Sequence, residues 1–69
     1  MNRILVDSSN IESVGYDRAT QTLEVEFKNG YIYQYFDVPE TDYTNMLNSS
    51  SVGQYLARNI KGVYRYART

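Results

Sequence analysis

Hydrophobic and polar positions alternate on both sides of Asn29-Gly30. Thr22 to Lys28 reads Thr-Leu-Glu-Val-Glu-Phe-Lys, and Tyr31 to Asp37 reads Tyr-Ile-Tyr-Gln-Tyr-Phe-Asp. A period of two predicts strands, and Asn-Gly between two such runs is the strongest short-range hairpin signal. A two-residue turn places Lys28 opposite Tyr31 and Phe27 opposite Ile32. Counting outward pairs Glu26 with Tyr33, Val25 with Gln34, Glu24 with Tyr35 and Leu23 with Phe36. One face is then Leu23, Val25, Phe27, Ile32, Gln34 and Phe36, the expected core side. The other carries Tyr31, Tyr33 and Tyr35 among Glu24, Glu26 and Lys28. A one-residue bulge at the turn would change this pairing.

The remaining elements follow from punctuation and spacing. Met1 to Ser9 reads as a loosely held lead-in, closed by the turn-like Ser8-Ser9-Asn10. Ile11 to Asp17 reads as a first strand with Val14 and Tyr16 on one face, and Gly15 marks a bulge or a close backbone approach. Asp17 to Gln21 turns the chain. Val38-Pro39 stops the third strand and opens a helix, with Glu40 and Asp42 at its positive end. Tyr43, Met46 and Leu47 give that helix one apolar face. Asn48 to Ser51 ends it and supplies N-caps for a second helix lined by Val52, Tyr55, Leu56, Asn59 and Ile60. Lys61 suits that helix's C-terminus and Gly62 its stop. Val63 to Arg68 alternates again as a last strand. The order is β-β-β-α-α-β: an α+β domain in which a three-strand antiparallel meander and a C-terminal strand pack with two short helices. The expected core is Ile11 or Val14, Leu23, Val25, Phe27, Ile32, Phe36, Tyr43, Met46, Leu47, Val52, Leu56 and Ile60.

Size and composition sharpen this picture. The 69 residues predict a single domain with a thin margin of stability. With neither Cys nor His, no disulfide or Cys/His zinc site is available, so aromatic and apolar packing must hold the fold. Eight Tyr and two Phe supply the large apolar surfaces. Ile4-Leu5-Val6 is too short for a signal segment, and no run approaches the ~20 residues of a membrane span. A cytoplasmic location is therefore expected. The net charge of −1 hides an asymmetry. Every acid lies between Asp7 and Asp42, whereas Tyr43 to Thr69 carries only Arg58, Lys61, Arg65 and Arg68. A basic, tyrosine-containing end is an electrostatic footprint for nucleic acid, or simply a solvated helix face and tail balanced by acids elsewhere.

The ordered set Phe27-x-x-Gly30-x-x-Tyr33-x-Tyr35-x-x-Val38-Pro39, Ser51-x-Gly53-x-Tyr55 and Ile60-Lys61-Gly62-x-Tyr64-x-Tyr66 resembles the KTSC domain family. Ser9, Ile11 and Gly15-Tyr16-Asp17 fit that family's opening strand, so the resemblance spans roughly residues 8 to 68. It implies a small bacterial, cytosolic domain that also occurs as a C-terminal appendage of some lysyl-tRNA synthetases. The family's function is unknown, and RNA binding is inferred from that association. Arg65 departs from the Pro that many relatives would carry between the two Tyr, and leaves a backbone donor free for pairing.

Chemistry-bearing constellations are few. Without His or Cys, no Ser-His or Cys-His arrangement is possible. Glu24 and Glu26 are spaced by strand alternation, as an exposed solubilising pair would be, and with Asp37 they make a poor metal set. No phosphate-cradling Gly-rich loop is present. The expectation is a non-enzymatic binding module without cofactor or metal. The leading partner is RNA or tRNA, bound through Arg58, Lys61, Tyr64, Arg65, Tyr66 and Arg68, with cations on phosphates and rings on bases. The alternative is a protein partner or homodimer docked on Tyr31, Tyr33 and Tyr35. Against both, tyrosines on the sheet can bury their rings and leave the hydroxyl wet.

Overall fold

The computed structural model describes residues 1–69 as one twisted sheet with two helices on one side. The strands are β1 (Ile4–Leu5), β2 (Ile11–Asp17), β3 (Thr22–Phe27), β4 (Ile32–Tyr35) and β5 (Tyr66–Arg68). They pair in sequence order and antiparallel throughout. Helix α1 (Glu40–Asn48) and helix α2 (Val52–Tyr55) lie between β4 and β5, and α2 runs on into one π-helical turn at Leu56–Ile60. The α+β class and element order match the sequence reading. The sheet has five strands, because the expected lead-in contributes β1 and the C-terminal strand joins the same sheet beside β4.

Local chemistry sets the element ends. Pro39 stands at the N-cap of α1, with Glu40 and Asp42 in its first turn. The Ser51 hydroxyl accepts from the Gln54 amide at 3.2 Å and starts α2. Gly62, at φ +81°, turns the chain out of the helix. In β2, Glu12 forms a bulge between Ile11 and Ser13. Without that extra residue, Ile11 and Val14 would face opposite sides; with it, Ile11, Val14 and Tyr16 share the helix side.

The hairpin register is one residue away from the expected one. The Phe27 amide donates to the Tyr31 carbonyl at 2.8 Å, and the Gly30 amide donates to the Phe27 carbonyl at 2.9 Å. Lys28, Asn29 and Gly30 thus form a three-residue loop, with Gly30 at φ +94°. The pairs become Leu23 with Tyr35, Val25 with Tyr33, and Glu26 with Ile32. A slip of one residue turns every side chain of β4 to the other face. Tyr31, Tyr33 and Tyr35 join Leu23, Val25 and Phe27 on the helix side, while Ile32, Gln34 and Phe36 accompany the glutamates. The expected core is corrected accordingly. Tyr35 is buried in it, whereas Ile32 and Phe36 leave it. Phe27, Tyr43 and Leu47 are half-buried and pack at its margin.

The core proper is Ile11, Val14, Leu23, Val25 and Tyr35 from the sheet against Met46, Val52, Leu56 and Ile60 from the helices. Val38, just before the Pro, is also completely buried. Its amide donates to the Gln21 carbonyl at 2.9 Å, and its carbonyl accepts from the Tyr16 hydroxyl. These bonds draw the β4–α1 connection onto the sheet. Asp42 ties the helices together, accepting from the Tyr55 hydroxyl at 2.7 Å and from the Tyr64 hydroxyl.

The opposite face of the sheet is polar and is strapped by the N-terminus. Gly15 has no side chain because Asn2 crosses there: a Cβ would stand 2.5 Å from the Asn2 carbonyl oxygen. Arg3 then reaches Glu24 and Ser13, and lies 3.6 Å from Glu26. Gln34 donates to Glu24 at 2.9 Å and Ser13 to Glu26 at 3.0 Å. Burial alone pushes the Glu24 carboxyl up. The bonds from Gln34 and Arg3, with the Arg3 charge, overcome this and hold it below the usual carboxylate range.

Candidate nucleic-acid interface

On the helix side, the two helices cover only part of the sheet. Beyond them the strands leave a groove of about 700 Å³. Its floor is Phe27 of β3, Tyr31, Tyr33 and Tyr35 along β4, and Tyr66 of β5. The hairpin contributes Lys28 and Asn29, the approach to β2 contributes Ser9 and Asn10, and the end of the π-helical turn contributes Lys61 and Gly62.

Strand pairing explains why these residues meet. β5 lies against β4 with Tyr66 opposite Tyr35 and Arg68 opposite Tyr33. Cross-strand partners share a face, so Tyr66 and Arg68 project on the tyrosine side. The rings of Tyr33 and Tyr66 are 5.7 Å apart, those of Tyr35 and Tyr66 6.0 Å, and Phe27 meets Tyr33 edge-on at 5.5 Å. The Arg68 guanidinium stands over the Tyr31 ring, 4.5 Å from its centroid. Tyr31 and Tyr66 are 50% and 61% exposed. The Tyr66 ring is open, the Tyr31 ring carries Arg68 on one face, and Tyr35 is sealed at 3%.

No carboxylate lines the groove. Glu24 and Glu26, expected beside the tyrosines, are on the other face of the sheet, so they do not repel a polyanion there. The groove joins flat π-surfaces to cations without opposing acids. Tyr35 is pushed upward in pKa by burial and by its neighbours Tyr33 and Tyr66. Tyr64 is pushed up to about 12, first by its hydrogen bond to Asp42 and then by burial. Every displaced group moves away from neutrality, a poor basis for acid–base work near pH 7. Asp and Glu side chains nowhere gather in threes as a metal site would need.

The two residue sets read from the sequence are regrouped. From the basic set, Lys61 and Tyr66 line the groove, and Arg68 stands beside it over the Tyr31 ring. Arg65 instead pairs with Asp37 at 2.9 Å and stacks on Phe36, off the tyrosine side. Tyr64 spends its hydroxyl on Asp42, and Arg58 is exposed on the helix without lining the groove. From the tyrosine set, Tyr31 and Tyr33 line the same groove, while burial removes Tyr35 as a docking contact. Sequence reasoning missed Phe27, Lys28, Asn29, Asn10 and Ser9 as lining residues. A three-residue reading of Lys28-Asn29-Gly30 would have found the first three, since it turns Phe27 and the tyrosines to one side.

Fold and groove together define a small α+β domain with an open aromatic, basic face. Residues 7–64 match the family model described as the KTSC domain, and the chain belongs to that family. It is 36% identical to a KTSC domain protein from Yersinia pestis whose crystal structure superposes with a TM-score of 0.93, covering 99% of this chain and 96% of that one. An uncharacterised protein of Stutzerimonas stutzeri is 39% identical over 69 residues, 99% of this chain and 97% of its own length. The lysine–tRNA ligase of a Nostoc species is 43% identical over 60 residues, 87% of this chain. The chain spans only 11% of that ligase's length. β5 lies beyond the matched family span.

Proposed function

We propose that this domain is a non-enzymatic, cytoplasmic binding module whose aromatic groove takes single-stranded RNA. The carrying observation is the acid-free union of Tyr31, Tyr33 and Tyr66 with Lys28 and Lys61. Rings on a sheet stack unpaired bases and are indifferent to their identity, while cations follow the phosphates. The match to a segment of lysine–tRNA ligases supports testing tRNA first. Affinity is expected to be modest, because the net charge is −1 and the cations are few.

The test is an amide chemical-shift titration with an unstructured oligoribonucleotide and, separately, tRNA, at low and moderate salt. Salt-sensitive shifts on Phe27–Tyr33 and Lys61–Arg68 are expected. Replacing both Lys28 and Lys61 by Ala is expected to reduce the slope of log affinity against log salt by about 1.4, if each lysine neutralises one phosphate. Arg58→Ala, at a residue that does not line the groove, serves as the control and is expected to leave binding unchanged. A competing reading is protein docking or self-association, favoured by the exposure of Tyr31 and Tyr66 at this face. No shifts with either RNA at low salt, with dilution-dependent shifts of the same residues, would decide for it.

A further inference from the structure

We infer that Arg68 and Tyr31 form a stacking clamp for one unpaired base, with Arg68 acting through its planar guanidinium and not as a phosphate contact. The inference rests on the single-stranded RNA reading above and assigns the ligand's position within the groove.

Arg68, beside the groove, is already seated on one of its rings, 4.5 Å above the Tyr31 centroid. The guanidinium there occupies the surface that an incoming base would use. It has no carboxylate partner, so only a cation–π contact holds it. The backbone beneath is fixed. Arg68 lies opposite Tyr33, and the Thr69 amide donates to the Ile32 carbonyl at 2.8 Å. The side chain can therefore swing away from Tyr31 while β5 stays paired. A base sliding into the gap meets a π-face on one side and a delocalised planar cation on the other, and both stack on nucleobases. Tyr33 and Tyr66, 5.7 Å apart, continue the platform for a neighbouring base, and Lys28 and Lys61 stand on the walls for the backbone. A duplex, whose bases face each other and stay stacked, cannot feed this slot. The ligand class is a single strand or the unpaired end of a structured RNA.

The experiment uses the full chain and an unstructured oligoribonucleotide carrying one 2-aminopurine, read by anisotropy and by 2-aminopurine quenching across a salt series. The variants are Arg68→Lys, Arg68→Ala and Tyr31→Ala, each first checked for a wild-type amide spectrum. Stacking losses of this kind are about five- to 150-fold per base. The clamp predicts that Arg68→Lys and Arg68→Ala both weaken binding within that range, that quenching falls in both, and that the salt slope of Arg68→Lys matches wild type. Wild-type affinity and quenching in Arg68→Lys would overturn the clamp and make Arg68 a point-charge contact, leaving RNA binding intact. Equal affinity for a blunt duplex would also overturn it. Absence of binding by the wild type overturns the RNA reading and the clamp with it.

Discussion

Gly15→Ala tests how the N-terminal segment is held. The added Cβ would stand 2.5 Å from the Asn2 carbonyl oxygen and 3.1 Å from Arg3 Cγ. The nearer contact is main chain, so relief requires the segment to move. Forced overpacking of this sort costs about 1–3 kcal/mol. A domain of this size has roughly 3–10 kcal/mol in total. Each kcal/mol lowers Tm by about 4–8 °C. The displacement also draws Arg3 away from Glu24, and β1 from its pairing with Val14 and Ser13. A double-mutant cycle isolates the contact. In a chain lacking residues 1–5 the new methyl meets nothing from the strap. Ala is there favoured over Gly in a strand by about 0.5–1 kcal/mol. The sign of the substitution should therefore reverse between the two backgrounds. Urea unfolding of the four chains measures this, and amide exchange at Val6, whose N–H donates to the Glu12 carbonyl, reports on the strap directly. Equal cost of Gly15→Ala in both backgrounds would refute the close approach.

Other substitutions probe the remaining joints. Tyr64 is held up at about 12 by its bond to Asp42, against an unfolded value of ~10. A raised pKa means that the bond's stabilisation is complete below pH ~10 and is lost as the pH rises through about 12. Asp42→Asn should return Tyr64 toward ~10 in an ultraviolet titration and remove that alkaline step. Glu24 has the opposite sign: its lowered pKa stabilises the fold above the ordinary carboxylate range and is lost as the pH falls through the folded value. Arg3→Ala should shrink the difference in urea midpoint between neutral and acidic pH. Gly30→Ala meets no neighbour within 4 Å, so its cost is the strain of φ +94° alone, about 1–2 kcal/mol by equilibrium unfolding.

The sequence by itself determined the elements from Ile11 onward and their order. Alternation marked strands over Ile11 to Asp17, Thr22 to Lys28 and Tyr31 to Asp37, Pro39 opened the first helix, and Ser51 and Gly62 bounded the second. These signals are local: a ring that removes a donor, a hydroxyl that caps an amide, a glycine that tolerates positive φ. The family was legible for the same reason, since its pattern is built from such residues. Tertiary structure decided what lies on which face. Asn29-Gly30 is compatible with a two- or a three-residue loop, and the period of two makes one residue the difference between a tyrosine buried and a tyrosine displayed. The packed sheet settles the register, because Tyr35 fits against the core and Gln34 comes within reach of Glu24. Tyr31 likewise meets Arg68 across 37 positions of chain, a proximity created only when β5 pairs with β4. No periodicity carries that information, because the contact depends on where the last strand lands after two helices.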